Sequence, residues 1–237
     1  KSNGSTINGG AGNDTLLGGA GDSLNAGAGS NRINLDETEG RGSATIALTG
    51  GKNTISGLHG GFDDETSDVI SVADLSKAKL SYNNGTLKIK ASGYRAQASV
   101  TATDDGYVEQ IFQSGDITAK VAIAAKNATI DASNGANYFV GNDSAINFGS
   151  ISGTVIADLS ASDWGNSLGG ESATFKGFNA LYAGDGNTTL KGSKAKETLA
   201  SGAGNDELTG GKGKDLFIFG GGSDIITDYE KKDKIDI

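Results

Sequence analysis

The chain has 237 residues, a formal net charge of −9, 39 glycines, and no Cys, Met or Pro. Lack of cysteine excludes disulfides, thiolate metal sites and cysteine nucleophiles, and the acidic balance argues against a nucleic-acid binder, which needs basic patches. No run of about 18 apolar residues exists to span a membrane as a helix, and glycine at roughly twice its usual share points to many tight turns around a narrow core.

The chain starts at Lys1-Ser2 without Met and reads as a fragment or processed piece of a larger protein. Over residues 1–35, Ile7, Leu16, Leu24 and Ile33 recur at a near-constant spacing. The step from Leu16 to Leu24 is one residue short, and Asp22 is expected to leave the register with it. Asp14 and Asn31 hold matching positions two turns apart. Next, Asp36, Glu37 and Glu39 form an acidic run that reads as solvated loop. TIAL at 45–48 and NTI at 53–55 read as short rungs of a solenoid that has lost its metal turns.

Residues 61–126 change texture. Asp63, Asp64, Glu65 and Asp68 form an acidic cluster without a repeat register, and solvated loop is the favoured reading. KLSY at 79–82 and TLKI at 86–89 alternate around Asn84-Gly85. Asn-Gly is a strong two-residue hairpin signal, because both residues accept positive φ; Tyr82 should face Leu87, and Leu80 should face Ile89. A second hairpin is expected at Asp105-Gly106, between 98–103 and 107–112, followed by a strand over 117–123. The result is an antiparallel β insert with Lys and Thr on its exposed face. Residues 127–178 return to short strands at 128–133, 145–148 and 154–160. Trp164 reads as a core aromatic, and Phe175 and Phe178 as caps on the core where the final repeats begin.

Residues 179–237 carry the strongest signal. Leu181, Leu190, Leu199, Leu208, Phe217, Ile226 and Ile235 keep one fixed spacing, and two residues before each stand Asn179, Thr188, Glu197, Asp206, Asp215, Asp224 and Asp233. A helix does not generate that period. Each repeat reads as a Gly-rich turn, where glycine tolerates positive φ, then a three-residue strand with its middle residue inward. Such strands must stack to bury a core. The turns place carboxylates beside backbone carbonyls, a ring of hard oxygens that suits Ca²⁺ better than zinc or copper.

GGAGNDTLL at 9–17 and GGKGKDLFI at 210–218 resemble the RTX (repeats-in-toxin) nonapeptide G-G-x-G-x-D-x-U-x, with U a large apolar residue. SDIITDY at 223–229 and DKIDI at 233–237 resemble the close of an RTX block. The resemblance covers both ends of the chain and not its middle. It implies an all-β chain: a parallel β-roll or β-solenoid, with RTX calcium rolls at 1–35 and 179–237 around an irregular, hairpin-containing β-rich region at 36–178. It implies Ca²⁺ between turns two repeats apart. Asp206 would pair with Asp224 on one edge; Asp215 would pair with Asp233, and Glu197 with Asp215, on the other. Thr188 and Asn179 depart from the pattern. The implied calcium turns comprise Gly9, Gly10, Gly12 and Asp14 against Gly27, Gly29 and Asn31. At the C-terminal end they comprise Glu197, Gly202, Gly204, Asp206, Gly211, Gly213, Asp215, Gly220, Gly222, Asp224 and Asp233.

Catalytic patterns are missing. His59 is the single histidine, with no nucleophile motif beside it, so neither a Ser-His-Asp triad nor H-E-x-x-H is available, and no G-x-S-x-G elbow is present. The expectation is a non-enzymatic, calcium-binding structural module of a self-assembling bacterial surface protein, either a surface layer or a fibrillar adhesin. By resemblance it would leave by type I secretion and fold on Ca²⁺ outside the cell, with itself or a cell-surface or matrix component as partner. The alternative is the non-catalytic C-terminal RTX region of a secreted lipase, protease or cytolysin.

Overall fold

The computed structural model describes residues 4–35, 42–63, 65–103, 106–132, 135–149, 151 and 153–237. Lys1, Ser2, the acidic run at 36–39, Asp64 and Asp105 of the second expected turn lie outside them. The described residues are nearly all β, with one short 3-10 turn at Leu75–Lys77 and no α-helix. The chain divides into two units, residues 1–104 with 108–123 and residues 105–107 with 124–237.

The first unit contains β1 (Thr6–Asn8), β2 (Thr15–Gly18), β3 (Ser23–Asn25), β4 (Ser30–Leu35), β5 (Thr45–Leu48), β6 (Gly51–Ser56), β7 (Val69–Val72), β8 (Lys79–Asn83), β9 (Thr86–Ala91), β10 (Tyr94–Ser99) and, apart from the end residues Tyr107 and Ala124, β11 (Tyr107–Ser114) and β12 (Ile117–Ala124). Odd-numbered rungs stack in parallel, β1 on β3, β5, β7 and then β11, so that Ile7, Leu24, Ile46, Ile70 and Phe112 form one inward column. On the other face β2, β4, β6 and β10 stack in parallel and align Leu16, Ile33, Ile55 and Ala98. Leu24, Ile33, Ile46, Ile70 and Phe112 have no exposed surface. Each is worth about 1.5–3 kcal/mol of burial.

The Asn84-Gly85 hairpin forms with the expected register, Tyr82 opposite Leu87 and Leu80 opposite Ile89. Asn84 (φ 45°) and Gly85 (φ 74°) both adopt the left-handed region that its turn requires. Residues 98–103 do not pair back onto 107–112. β10 ends at Ser99 and pairs with β6 and β9, whereas β11 joins the opposite sheet beside β7. The chain there crosses between faces of the stack, as every coil must, instead of reversing within one sheet.

The second unit contains β13 (Thr129–Asp131), β14 (Tyr138–Asn147), β15 (Val155–Asp158), β16 (Asn166–Leu168), β17 (Glu171–Tyr182), β18 (Thr188–Lys191), β19 (Thr198–Ala200), β20 (Glu207–Thr209), β21 (Leu216–Ile218), β22 (Ile225–Ile226) and β23 (Lys234–Asp236). One parallel ladder aligns Ile130, Ile146, Leu181, Leu199, Phe217 and Ile235. The facing ladder aligns Ala157, Leu190, Leu208 and Ile226. Phe139, Phe148 and Phe175 close the wider end, with ring centroids 5.4 and 5.5 Å apart. Phe178 is buried nearby. Trp164 is half-buried, edge-on to Tyr138 at 5.8 Å.

Candidate metal centre

The short rungs end in turns, and the turns define the site. In the second unit, the residue two places before each inward apolar side chain stands at the edge of the stack. Its side chain reaches the equivalent backbone N–H one coil earlier. Asp206 Oδ1 accepts from Thr188 N–H at 2.7 Å, and Asp224 Oδ1 from Asp206 N–H at 3.0 Å. On the opposite edge Asp215 Oδ1 accepts from Glu197 N–H at 2.9 Å, and Asp233 Oδ1 from Asp215 N–H at 3.1 Å. The two edges therefore carry the columns Thr188–Asp206–Asp224 and Glu197–Asp215–Asp233. Thr188 keeps its place as a backbone donor, although its side chain breaks the acidic pattern.

The second carboxylate oxygens separate the two edges. Glu197 Oε2 and Asp215 Oδ2 are buried without a hydrogen-bond partner, as is Asp14 Oδ2 in the first unit. Each lies over a glycine five residues upstream. A Cβ at Gly9 would come within 2.7 Å of Asp14 Oδ2, one at Gly210 within 2.7 Å of Asp215 Oδ2, and one at Gly192 within 3.0 Å of Glu197 Oε2. On the other edge the position upstream of Asp206 is Ser201, not glycine. There Asp206 Oδ2 takes Gly202 N–H at 3.1 Å, and Asp224 Oδ2 takes the Ser201 hydroxyl at 2.7 Å. Asp233 Oδ2 takes Glu230 N–H at 2.8 Å.

Glycine is required where coils touch. A Cβ on Gly29, Gly202, Gly213, Gly220 or Gly222 would run into the carbonyl oxygen of Gly12, Gly184, Ala195, Gly202 or Gly204 on the preceding coil. These carbonyls stack along the turns beside the carboxylates. Burial raises the pKa of Asp215, opposed by the Glu197 N–H bond and reinforced by the charges of Glu197 and Asp233. Burial likewise raises that of Asp206, with Asp224 adding to it. Among the described residues, no three His, Cys, Asp or Glu side chains converge on one point. A cation held here would take one or two carboxylates and complete its shell from backbone carbonyls, and orphaned carboxylate oxygens beside stacked carbonyls fit a hard cation such as Ca²⁺.

Asn31 takes part in a protein ladder. Its Oδ1 accepts from Asp14 N–H at 3.0 Å, and its amide donates to Gly27 O at 3.2 Å and Asn53 Oδ1 at 3.1 Å. Three residues set aside on sequence grounds occupy the same columns. Asp22 keeps the register, with Oδ1 on Ser5 N–H at 2.7 Å and Oδ2 on Gly19 N–H at 2.9 Å; the shortened step changes coil length and not the slot. Asp68 is fully buried, not solvated, with Oδ1 on Ala44 N–H at 2.8 Å and Oδ2 on His59 N–H at 2.9 Å. Asn53 stacks on Asn31. All three precede a buried Leu or Ile by two positions, the local signal that identifies the slot. Asp228, outside the repeat register, accepts from both Gly210 and Gly211 N–H at 2.8 Å and pins the last coil.

In each unit, acidic side chains stand at the turns of a parallel stack of short rungs, each bonded to the backbone one coil earlier. Two stretches of the chain carry RTX repeats. The profile of the RTX calcium-binding nonapeptide repeat matches in four copies, over residues 5–23 and 191–226. No curated protein matches the chain. Among solved structures, the extracellular lipase LipA from Serratia marcescens aligns at 16% identity and a TM-score of 0.29, over 89% of this chain and 31% of that one. The chain thus spans about a third of that lipase's length. No helix among the described residues is long and apolar enough to cross a membrane.

Proposed function

We propose that this chain is a calcium-binding, non-enzymatic structural module of a secreted bacterial protein that assembles at the cell surface, as a surface layer or fibrillar adhesin. In this reading the two repeat blocks are parallel β-rolls that fold on Ca²⁺ after export, and the region at 36–178 is the part that distinguishes the module. The observation that carries the calcium reading is the set of buried, unpartnered oxygens on Asp14, Glu197 and Asp215. Leaving a buried carboxylate oxygen without a partner is unfavourable, and a bound cation removes that cost.

Calcium would be held by Asp14 with the Gly9–Gly12 and Gly27–Gly29 turns, and by Glu197, Asp206, Asp215, Asp224 and Asp233 with theirs. It supplies charge neutralisation and cross-links successive coils. Because it binds the folded turns alone, it stabilises them by RT ln(1 + [L]/Kd) per site. Extracellular calcium modules work at a Kd of about 10⁻⁴ to 10⁻³ M, so the roll is ordered where calcium is millimolar. The assembly reading rests on the long aperiodic stretch between the two repeat blocks, which an accessory roll of a secreted enzyme would not need. Light scattering with and without calcium tests it. Growth of particle mass on calcium addition is expected. A strict monomer at high concentration in calcium contradicts it and turns the balance to the accessory region of a secreted enzyme.

A further inference from the structure

The sheet formed by β2, β4, β6, β10, β9 and β8 has a solvent face that the calcium chemistry does not use. Its strands carry Arg32, Lys52, Lys79, Lys88, Lys90 and Arg95, and no Asp or Glu. All six cations are exposed, in a chain of net charge −9. Four of them stand in one row across adjacent strands: Lys52 is opposite Arg95, Arg95 opposite Lys90, and Lys90 opposite Lys79. Strands lie about 4.8 Å apart, so the row runs about 14 Å. The next row alternates Thr54, Gln97, Lys88 and Ser81, with Arg32 beyond Thr54. A shallow groove lies among Lys52, Lys88, Lys90 and Arg95. None of the six is in the salt bridges recorded among the described residues.

Like charges directly opposite on a sheet destabilise it. An edge defence against strand pairing needs a lysine or two on an edge strand, whereas this row starts on the edge strand β8 and continues across the interior strands β9, β10 and β6. We infer that this face binds an extended anionic polysaccharide, laid across the strands along the Lys79–Lys90–Arg95–Lys52 row. A row of charges across adjacent strands, one per strand, matches a linear chain that carries an acid group on successive sugars. Gln97, Thr54 and Ser81 beside it supply the donors and acceptors that sugar hydroxyls use. Single-stranded nucleic acid is disfavoured, because it needs aromatic stacking platforms, and Tyr82 and Tyr94 of this sheet turn inward and are buried. A lipid surface is disfavoured because the charged rows present no apolar side chain to insert; the exposed Leu17 stands apart on β2, at the far edge of the sheet. Asp14 borders this face beside Arg32, Lys52 and Thr54, but none of the four row residues is a proposed calcium ligand, so the inference does not depend on the calcium reading.

The test is fluorescence anisotropy of a labelled heparin fragment with the full chain in calcium, across a salt series. Binding is expected at about 0.15 M salt. The combined variant Lys52→Gln, Lys79→Gln, Lys90→Gln and Arg95→Gln is expected to bind at least tenfold more weakly. Its slope of log K against log salt should be shallower by about 3, as for loss of four contacts to a flexible polyanion. Its fold should survive, since opposed like charges are removed. Arg95→Gln alone, mid-row, should lose affinity in the same direction. Lys126→Gln with Lys231→Gln, exposed cations of the other unit, should bind like the parent. No binding of the fragment, or equal loss in the two multiple variants, overturns the inference. Tighter binding of a single-stranded oligonucleotide or of anionic lipid vesicles through the same four residues overturns the polysaccharide assignment.

Discussion

Glu197 donates its backbone N–H to Oδ1 of Asp215 at 2.9 Å, one coil further along the chain, while Oδ2 of Asp215 is buried with no partner. One carboxylate thus has two distinct jobs. Its first oxygen splices neighbouring coils with a charge-assisted hydrogen bond. Its second lies over Gly210 and is available to a cation.

That division of labour separates two substitutions. Asp215→Asn keeps an acceptor for Glu197 N–H and removes the charge. Stability in chelator should stay within about 1 kcal/mol of the parent, while the calcium-dependent gain in melting temperature shrinks. Asp215→Ala removes the splice as well and should cost about 1–3 kcal/mol even in chelator. Thermal melts of both proteins, with calcium and with chelator, check the pair.

The two edges should differ. Glu197 and Asp215 leave oxygens unpartnered, whereas Asp206 and Asp224 engage Gly202 N–H and Ser201. Asp224→Asn should therefore reduce calcium uptake less than Asp215→Asn does. Ser201→Gly, which restores the glycine found at positions 192 and 210, should tighten calcium binding on the Asp206 edge. Calcium titration calorimetry of the three variants reads this directly.

Glycines within one repeat are not equivalent. Gly10 has φ +93° with open space at its Cβ position, while Gly29 has φ +100° and a Cβ there would meet the Gly12 carbonyl. Gly10→Ala should cost about 1 kcal/mol of backbone strain. Gly29→Ala should cost clearly more, about 2–4 kcal/mol, because the coils must also separate. Denaturant unfolding in excess calcium measures both.

Without calcium, stability should fall as pH rises. Asp206 and Asp215 have raised pKa values in the folded chain, chiefly from burial, so the folded state holds more protons than the unfolded one between the ordinary carboxylate range and the raised values. Unfolding free energy therefore declines across that window. The chelated protein should melt higher in mild acid than at neutral pH. Calcium should reverse the trend, because protons compete with it for the same oxygens. Melting curves in chelator and in calcium at several pH values test the sign.

The parts of this architecture written locally were legible in the sequence. The Leu190–Leu208 and Leu199–Phe217 pairings follow from an unbroken period, and Tyr82 faces Leu87 because Asn84-Gly85 admits one tight turn. What was not legible came from reading period in place of slot. The advance per coil grows from 17 residues between Ser5 and Asp22 to 22 between Asn31 and Asn53 and 24 between Ala44 and Asp68. Insertions at the corners lengthen the coil without moving the polar residue two places before the apolar one. Asp68 looked like loop among Asp63 and Glu65, yet its full burial follows from Ile70. The sheet crossing after Ser99 was hidden for a related reason. A turn signal states that the chain reverses, and the face it rejoins is set by which column needs its next apolar rung.

The most direct measurement is a calcium titration of the chelated full chain, followed together by circular dichroism and calorimetry. The account predicts cooperative uptake of several Ca²⁺ per chain with a matching gain of β signal, lost in part in Asp215→Asn. A chain equally folded in chelator, taking up no calcium, would contradict it and leave the acidic ladder as a device of coil splicing alone.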